Sequence, residues 1–246
     1  MKNIFKIKIH FFFYLAFIIS ILTGNFKIFI TLTLITFFHE LGHIIGGLLF
    51  KYKIEKIVVL PLSMLTIFNT KINNKWYQEF IVTILGPLFQ ILLFNFINDE
   101  RILKYNMILL LFNLLPIFPL DGSKLLKIFL YNYLPFKLVE KINIYISFIV
   151  LVLFNIGIPK NLLIILVSTI FLFKILKEKN NLDYIFNKFL FERYLYNINY
   201  KKIKIINQLK LEEMYKYYYH HFLSKNKIEE EHDFLLKMFD NKGKIW

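Results

Sequence analysis

Apolar residues in this chain come in blocks of about 20, the length at which a helix crosses a roughly 30 Å hydrocarbon layer. Six blocks can be drawn, at about 9 to 23, 28 to 50, 79 to 97, 104 to 131, 139 to 157 and 160 to 176. They follow from a composition that is 57% hydrophobic and 19% aromatic over 246 residues, more apolar surface than one soluble core of this size can bury. The reading is a polytopic membrane protein of the all-α class, with about six transmembrane helices. The first block, HFFFYLAFIISILTG, follows Lys2, Lys6 and Lys8 in the manner of a signal peptide. No A-x-A-like cleavage site precedes Gly24, and Asn25-Phe26-Lys27 runs straight into the next block, which favours an uncleaved first helix.

The formal net charge is +14, from 31 basic and 17 acidic residues. Lys51, Lys53, Lys56, Lys71, Lys75, Lys137 and Lys141 fall on one side of the spans with the basic termini. Lys27, Arg101, Lys104 and Lys160 are left for the other. The positive-inside rule then places both termini in the cytoplasm. Nucleic-acid binding is set aside: no soluble basic domain is present to carry it, and the Lys, Ile, Asn, Phe and Tyr bias is what A/T-rich coding produces.

Between the second and third spans, KYKIEKIVVLPLSMLTIFNTKINNK is rich in β-branched residues and interrupted by Pro61 and Ser63. A strand or hairpin at membrane depth and an interfacial loop are equally consistent with it. After Lys177 the charge becomes nearly balanced, which divides the chain into a membrane domain, 1 to 177, and a cytoplasmic tail, 178 to 246. Spacing in FNKFLFERYL and LEEMYKYYYHHF predicts a short helical tail, at most a marginal domain alone.

The second span holds three ionisable residues in five: His39-Glu40-Leu41-Gly42-His43. Such groups are costly at membrane depth and by default mark function. On a helix, His39 and His43 share one face a turn apart and can grip one ion, and Glu40 can reach a water held there. This is the spacing of a zinc hydrolase helix. With no Cys in the chain, any metal must be held by His and carboxylates.

A catalytic zinc usually takes a third protein ligand. His10, His220, His221 and His232 lie outside the spans or at their margin and read as ordinary polar residues. Asp121 is better placed, in Asn113-Leu114-Leu115-Pro116-Ile117-Phe118-Pro119-Leu120-Asp121-Gly122, where two prolines break the fourth span. Its alternative role is to cap the second half-helix. At 1.5 Å per residue, His43 and Asp121 lie roughly 10 and 15 Å from the cytoplasmic ends of their spans, so the two motifs can share one cavity. Gly42, Gly46 and Gly47 read as packing positions, and Gly86-Pro87 as a kink making room between helices. Asn113 can donate to an oxyanion or a substrate carbonyl, or bond between helices.

HELGH in one span, GP in the next and NLLPIFPLDG in the one after resemble the site-2 protease family of intramembrane zinc metalloproteases. NLLPIFPLDGSKLL and FERYL resemble its sporulation branch in particular, over residues 1 to about 200. The resemblance implies that His39, His43 and Asp121 bind Zn2+, that Glu40 is the general base, and that Asn113 matches the family's Asn ahead of Asp-Gly. It implies a small membrane-embedded β segment from about Ile54 to Phe68 that could pair with an unwound substrate. It also implies a transmembrane or membrane-associated protein substrate, in that branch a pro-sigma factor, cut near the cytoplasmic face, with membrane inhibitor or regulatory proteins as further partners besides the lipid bilayer. The nucleotide-sensing domain that normally follows is not matched by the short tail, which reads as its remnant. Two rival readings stand beside this one: an inactive relative that binds membrane proteins, and a metal transporter.

Overall fold

The computed structural model describes residues 6–60, 63–157, 162–196, 198, 200–207, 210–224 and 227–242. Lys2, Pro61 and Lys160 of the sequence reading lie outside the described residues. The chain divides into two compact units, one comprising Met1–Thr70 and Tyr77–Leu115, the other Lys71–Trp76 and Pro116–Trp246.

The first unit opens with strand β1 (Lys6–Ile9). His10 caps helix α1 (Phe11–Leu22), its side chain accepting from the Phe12 N–H, so this His is structural. Gly24, at φ +72°, takes the left-handed conformation in the turn to α2 (Phe26–Leu49). β2 (Lys53–Leu60) and β3 (Ser63–Asn69) follow, then α3 (Trp76–Leu92) with a 3-10 turn over Leu93–Asn95, and α4 (Glu100–Asn113), whose N-cap is Asp99. The β-branched stretch is thus a hairpin and not a loop. Ile57 lies opposite Thr66 in its antiparallel pairing, and β1 joins in parallel with Ile7 opposite Ile57. β1 goes beyond the sequence reading, which takes Lys6 and Lys8 only as the charged flank of the first span.

Glycines let α2 and α3 approach backbone to backbone. A Cβ on Gly42 would lie 2.2 Å from the Leu85 carbonyl oxygen, and one on Gly46 would lie 2.9 Å from Val82 Cα. In lipid such close packing replaces the hydrophobic effect as the force between helices.

The second unit contains α5 (Asp121–Leu130), α6 (Phe136–Gly157), α7 (Leu162–Asn180) and α8 (Leu182–Tyr196). β4 (Ile203–Asn207), β5 (Tyr219–Ser224), β6 (Lys227–Glu230) and α9 (Glu231–Lys242) complete it. Phe136 stacks on Phe189 at 4.2 Å between ring centroids and on Tyr131 at 5.4 Å. Val139, Leu190, Ile206, Met214, Phe222 and Leu235 extend this core. Arg193 is buried within it, donating to Glu231 Oε1 at 2.7 Å, to the carbonyls of Tyr215, Lys216 and Tyr218, and to Asn73 Oδ1. His220 Nδ1 lies 2.6 Å from Glu231 Oε2, and His220 Nε2 accepts from the Tyr215 N–H. Glu192 Oε2 accepts from the Ile72 N–H and from the Asn73 N–H and side-chain amide, and the Tyr200 hydroxyl donates to the Asn73 carbonyl.

The tail is therefore not purely helical. FNKFLFERYL lies in α8, but LEEMYKYYYHHF forms only a 3-10 turn, Leu211–Glu213, before β5. His220 and Phe222 are both fully buried. That period of two fits a strand packed on one face and not a helix, and β5 pairs in parallel with β4 and antiparallel with β6.

Helices stand at all six places where the sequence predicts spans, yet among the described residues only three are long and apolar enough to cross a membrane: Phe26–Leu49, Trp76–Asn95 and Phe136–Gly157. α1 has 12 residues. The fourth block breaks into α4, of 14 residues, and α5, of 10. α7 ends in Lys177, Glu178 and Lys179, which lowers its apolarity. The fold is mainly helical, with several long apolar helices and two small sheets, and it is that of an integral membrane protein.

Candidate active site

α2 carries His39, Glu40 and His43, all buried, at 6, 7 and 6% exposure. Four residues of helix bring both imidazoles to one face, with ring centroids 4.9 Å apart and the two Nε2 atoms 3.2 Å apart. Their other nitrogens are held by acceptors. His39 Nδ1 lies 2.9 Å from Gln90 Oε1, and His43 Nδ1 lies 2.8 Å from the Val82 carbonyl oxygen. An acceptor at Nδ1 requires the proton there, so in the neutral rings both Nε2 atoms present lone pairs. Two lone pairs 3.2 Å apart cannot hydrogen-bond each other, but they match the edge of a zinc tetrahedron, about 3.3 Å for Zn–N bonds near 2.0 Å.

Gly86 is what permits this placement. A Cβ there would fall 2.3 Å from His43 Nε2, so the Gly of Gly86-Pro87 makes room by lacking a side chain as well as by any kink. Glu40 Oε1 accepts from the Thr66 N–H at 2.5 Å. The hairpin therefore fixes the Glu through a backbone donor.

Asp121 is the first residue of α5 and is 5% exposed. The helix N-cap is Leu120, which makes no side-chain capping bond, so the capping alternative does not describe this Asp. Its Oδ1 accepts from Lys124 Nζ at 2.8 Å. Among the described residues, His39, His43 and Asp121 are the candidate metal ligands: each is buried and offers one ligand atom, an imidazole nitrogen or a carboxylate oxygen. Two imidazole nitrogens and one carboxylate oxygen form the donor set of a catalytic zinc site with a position left for chemistry.

No family model matches the chain. It is 31% identical over 207 residues to stage IV sporulation protein FB of Bacillus subtilis (strain 168), which spans 78% of this chain and 72% of that protein. The chain belongs to the site-2 protease family of intramembrane zinc metalloproteases. Its fold is also similar to that of a site-2 protease from Methanocaldococcus jannaschii, with a TM-score of 0.52 and 29% identity over 70% of this chain and 89% of the other. Family membership and the buried His-His-Asp group together make this site-2 protease a zinc-dependent peptidase acting on membrane-embedded protein.

The remaining sequence candidates fall as follows. Asn113 is the last residue of α4, half-buried, and does not belong to the metal-ligating group. His220 is buried in the tail core beside Glu231. Four contributors are absent from the sequence reading: Gln90, the Val82 carbonyl, the Thr66 N–H and Lys124. Only Gln90 leaves a sequence trace, as an amide side chain in an apolar span. The backbone groups leave none.

Proposed function

We propose that His39, His43 and Asp121 are the zinc ligands and that Glu40 is the general base for peptide hydrolysis. The observation that carries this reading is the pair of Nε2 lone pairs 3.2 Å apart on one buried face of α2. Zinc, when bound, lowers the pKa of water and polarises the scissile carbonyl. Glu40 takes the proton of the attacking water and returns it to the leaving amine. Its bond to the Thr66 N–H anchors one carboxylate oxygen, and the other takes the proton. Asn113 donates to a substrate carbonyl. The substrate is a transmembrane or membrane-associated protein that must unwind, because a helix hides its carbonyls, and strand β3 offers an edge on which an unwound segment can add. By kinship with the sporulation relative, a membrane-associated pro-sigma factor fits that description, and membrane regulators fit as partners.

In this reading α1, the broken α4 and α5, and α7 complete six spans, both termini are cytoplasmic, and the bond is cut near that face. Residues 178 to 246 are the cytoplasmic tail. The test is co-expression with a candidate pro-sigma substrate. Glu40→Gln is expected to lower cleavage by about 10²- to 10⁴-fold while zinc content is retained. Cleavage unaffected by that change refutes the assignment of Glu40.

A further inference from the structure

Gln90 lies in α3, one turn beyond Gly86, and is 1% exposed. Its amide is held at both ends. Nε2 donates to the Asn106 carbonyl oxygen at 3.1 Å and to Asn106 Oδ1 at 2.9 Å. A main-chain carbonyl can only accept, so the amide has one orientation: nitrogen toward α4, oxygen toward His39. Asn106, itself fully buried, returns a bond from Nδ2 to the Gln90 carbonyl at 3.4 Å. The two residues thus form a closed amide pair between α3 and α4, with a single acceptor, Gln90 Oε1, directed at His39 Nδ1.

We propose that Gln90, locked by Asn106, is the positioning residue that fixes the tautomer and ring orientation of His39 for metal binding. The proposal rests on the zinc reading above and deepens it. Outer-shell partners of ligating histidines commonly act this way, and their loss costs about 10- to 100-fold in metal affinity. A carboxylate would be the stronger acceptor, but at membrane depth it would add a buried charge needing its own compensation. A neutral amide orients the ring without that cost and leaves Asp121 as the one anionic member of the ligand group. His43 solves the same problem differently, with the Val82 carbonyl. That acceptor cannot be altered by a side-chain substitution, so His39 is the ring whose support can be tested.

The experiment uses the full chain purified in detergent, with Zn2+ competed against a chromogenic chelator and Co2+ as a spectroscopic probe. Gln90→Leu is expected to bind Zn2+ about 10- to 100-fold more weakly than wild type, with a weakened or shifted Co2+ visible band. Gln90→Glu, which keeps an acceptor at Nδ1, is expected to recover most of that loss. Gln90→Met, close in shape and lacking the amide, takes the place of Gln90→Leu if the latter does not elute as a monodisperse species. Zinc affinity within about threefold of wild type in the Leu or Met variant overturns the proposal, and so does an equal loss in Gln90→Glu. Failure of the wild type to take up Zn2+ at all overturns the zinc reading itself and the proposal with it.

Discussion

Gly86→Ala tests the site geometry with one methyl group. Built on the α3 backbone, that methyl lies 2.3 Å from His43 Nε2, 2.4 Å from Cε1 and 2.9 Å from Cδ2. Non-bonded carbon contacts settle near about 3.5 Å, so the ring must retreat by roughly 1 Å. His43 Nδ1 is tied at 2.8 Å to the Val82 carbonyl on that same helix, and a retreat stretches or breaks the tie. Metal–ligand distances tolerate only about 0.2 Å, so His43 leaves the ligand group and two protein ligands remain. The expected result is a fall of at least about 100-fold in zinc affinity, and of about the same size in cleavage. The strain is about 1–3 kcal/mol, small enough for most of the protein to stay folded. The assay is chelator competition on detergent-purified protein, with monodispersity checked by size exclusion. Gly157→Ala is the control, since a Cβ there meets nothing within 4 Å. A Gly86→Ala protein that binds one zinc with wild-type affinity would refute the assignment of His43 Nε2 as a ligand.

Two further outcomes concern the tail. Arg193→Met strands the Glu231 carboxylate and the carbonyls of Tyr215, Lys216 and Tyr218 in the core, and is expected to destabilise the second unit by about 3–5 kcal/mol, measured as a lowered melting temperature. The same core responds to acid. Burial holds His220 below the usual imidazole range, against the pull of Glu231. Burial alone would raise Glu231, but Arg193 and His220 outweigh it and keep this carboxyl below the usual carboxylate range. The unfolded chain therefore binds more protons, first as pH falls below 6.5 for the His and then below 4.5 for the Glu. Stability is full near neutral pH and declines across that interval. Melting temperatures followed from pH 8 to pH 4 should fall accordingly, and a flat profile would contradict the neutral state drawn for His220.

The chemistry was legible in the sequence because it rests on side chains with few other reasons to be where they are. His39, Glu40, His43 and Asp121 are ionisable groups in apolar surroundings, and helical spacing alone aligns the two rings. The groups that hold His43 and Glu40 in place were not legible, because the Val82 carbonyl and the Thr66 N–H are main-chain groups common to every residue type. Their roles depend on α3 and β3 lying against α2. The glycines were legible as packing positions, but that Gly86 faces His43 needs the helix pairing. LEEMYKYYYHHF misled because its aromatic residues suit either period. The choice was made by the tertiary core, where His220 and Phe222 point the same way, together with the parallel pairing to β4.

The six residues from Lys71 to Trp76 group with the second unit although the chain on either side of them groups with the first. Glu192 and Arg193 both spend hydrogen bonds on Asn73. The two units consequently cannot be parted by one cut. A fragment starting at Pro116 would carry a buried carboxylate stripped of its Ile72 and Asn73 donors and a buried guanidinium missing one acceptor. Divisibility here follows contacts, and the gene's linear order conceals it.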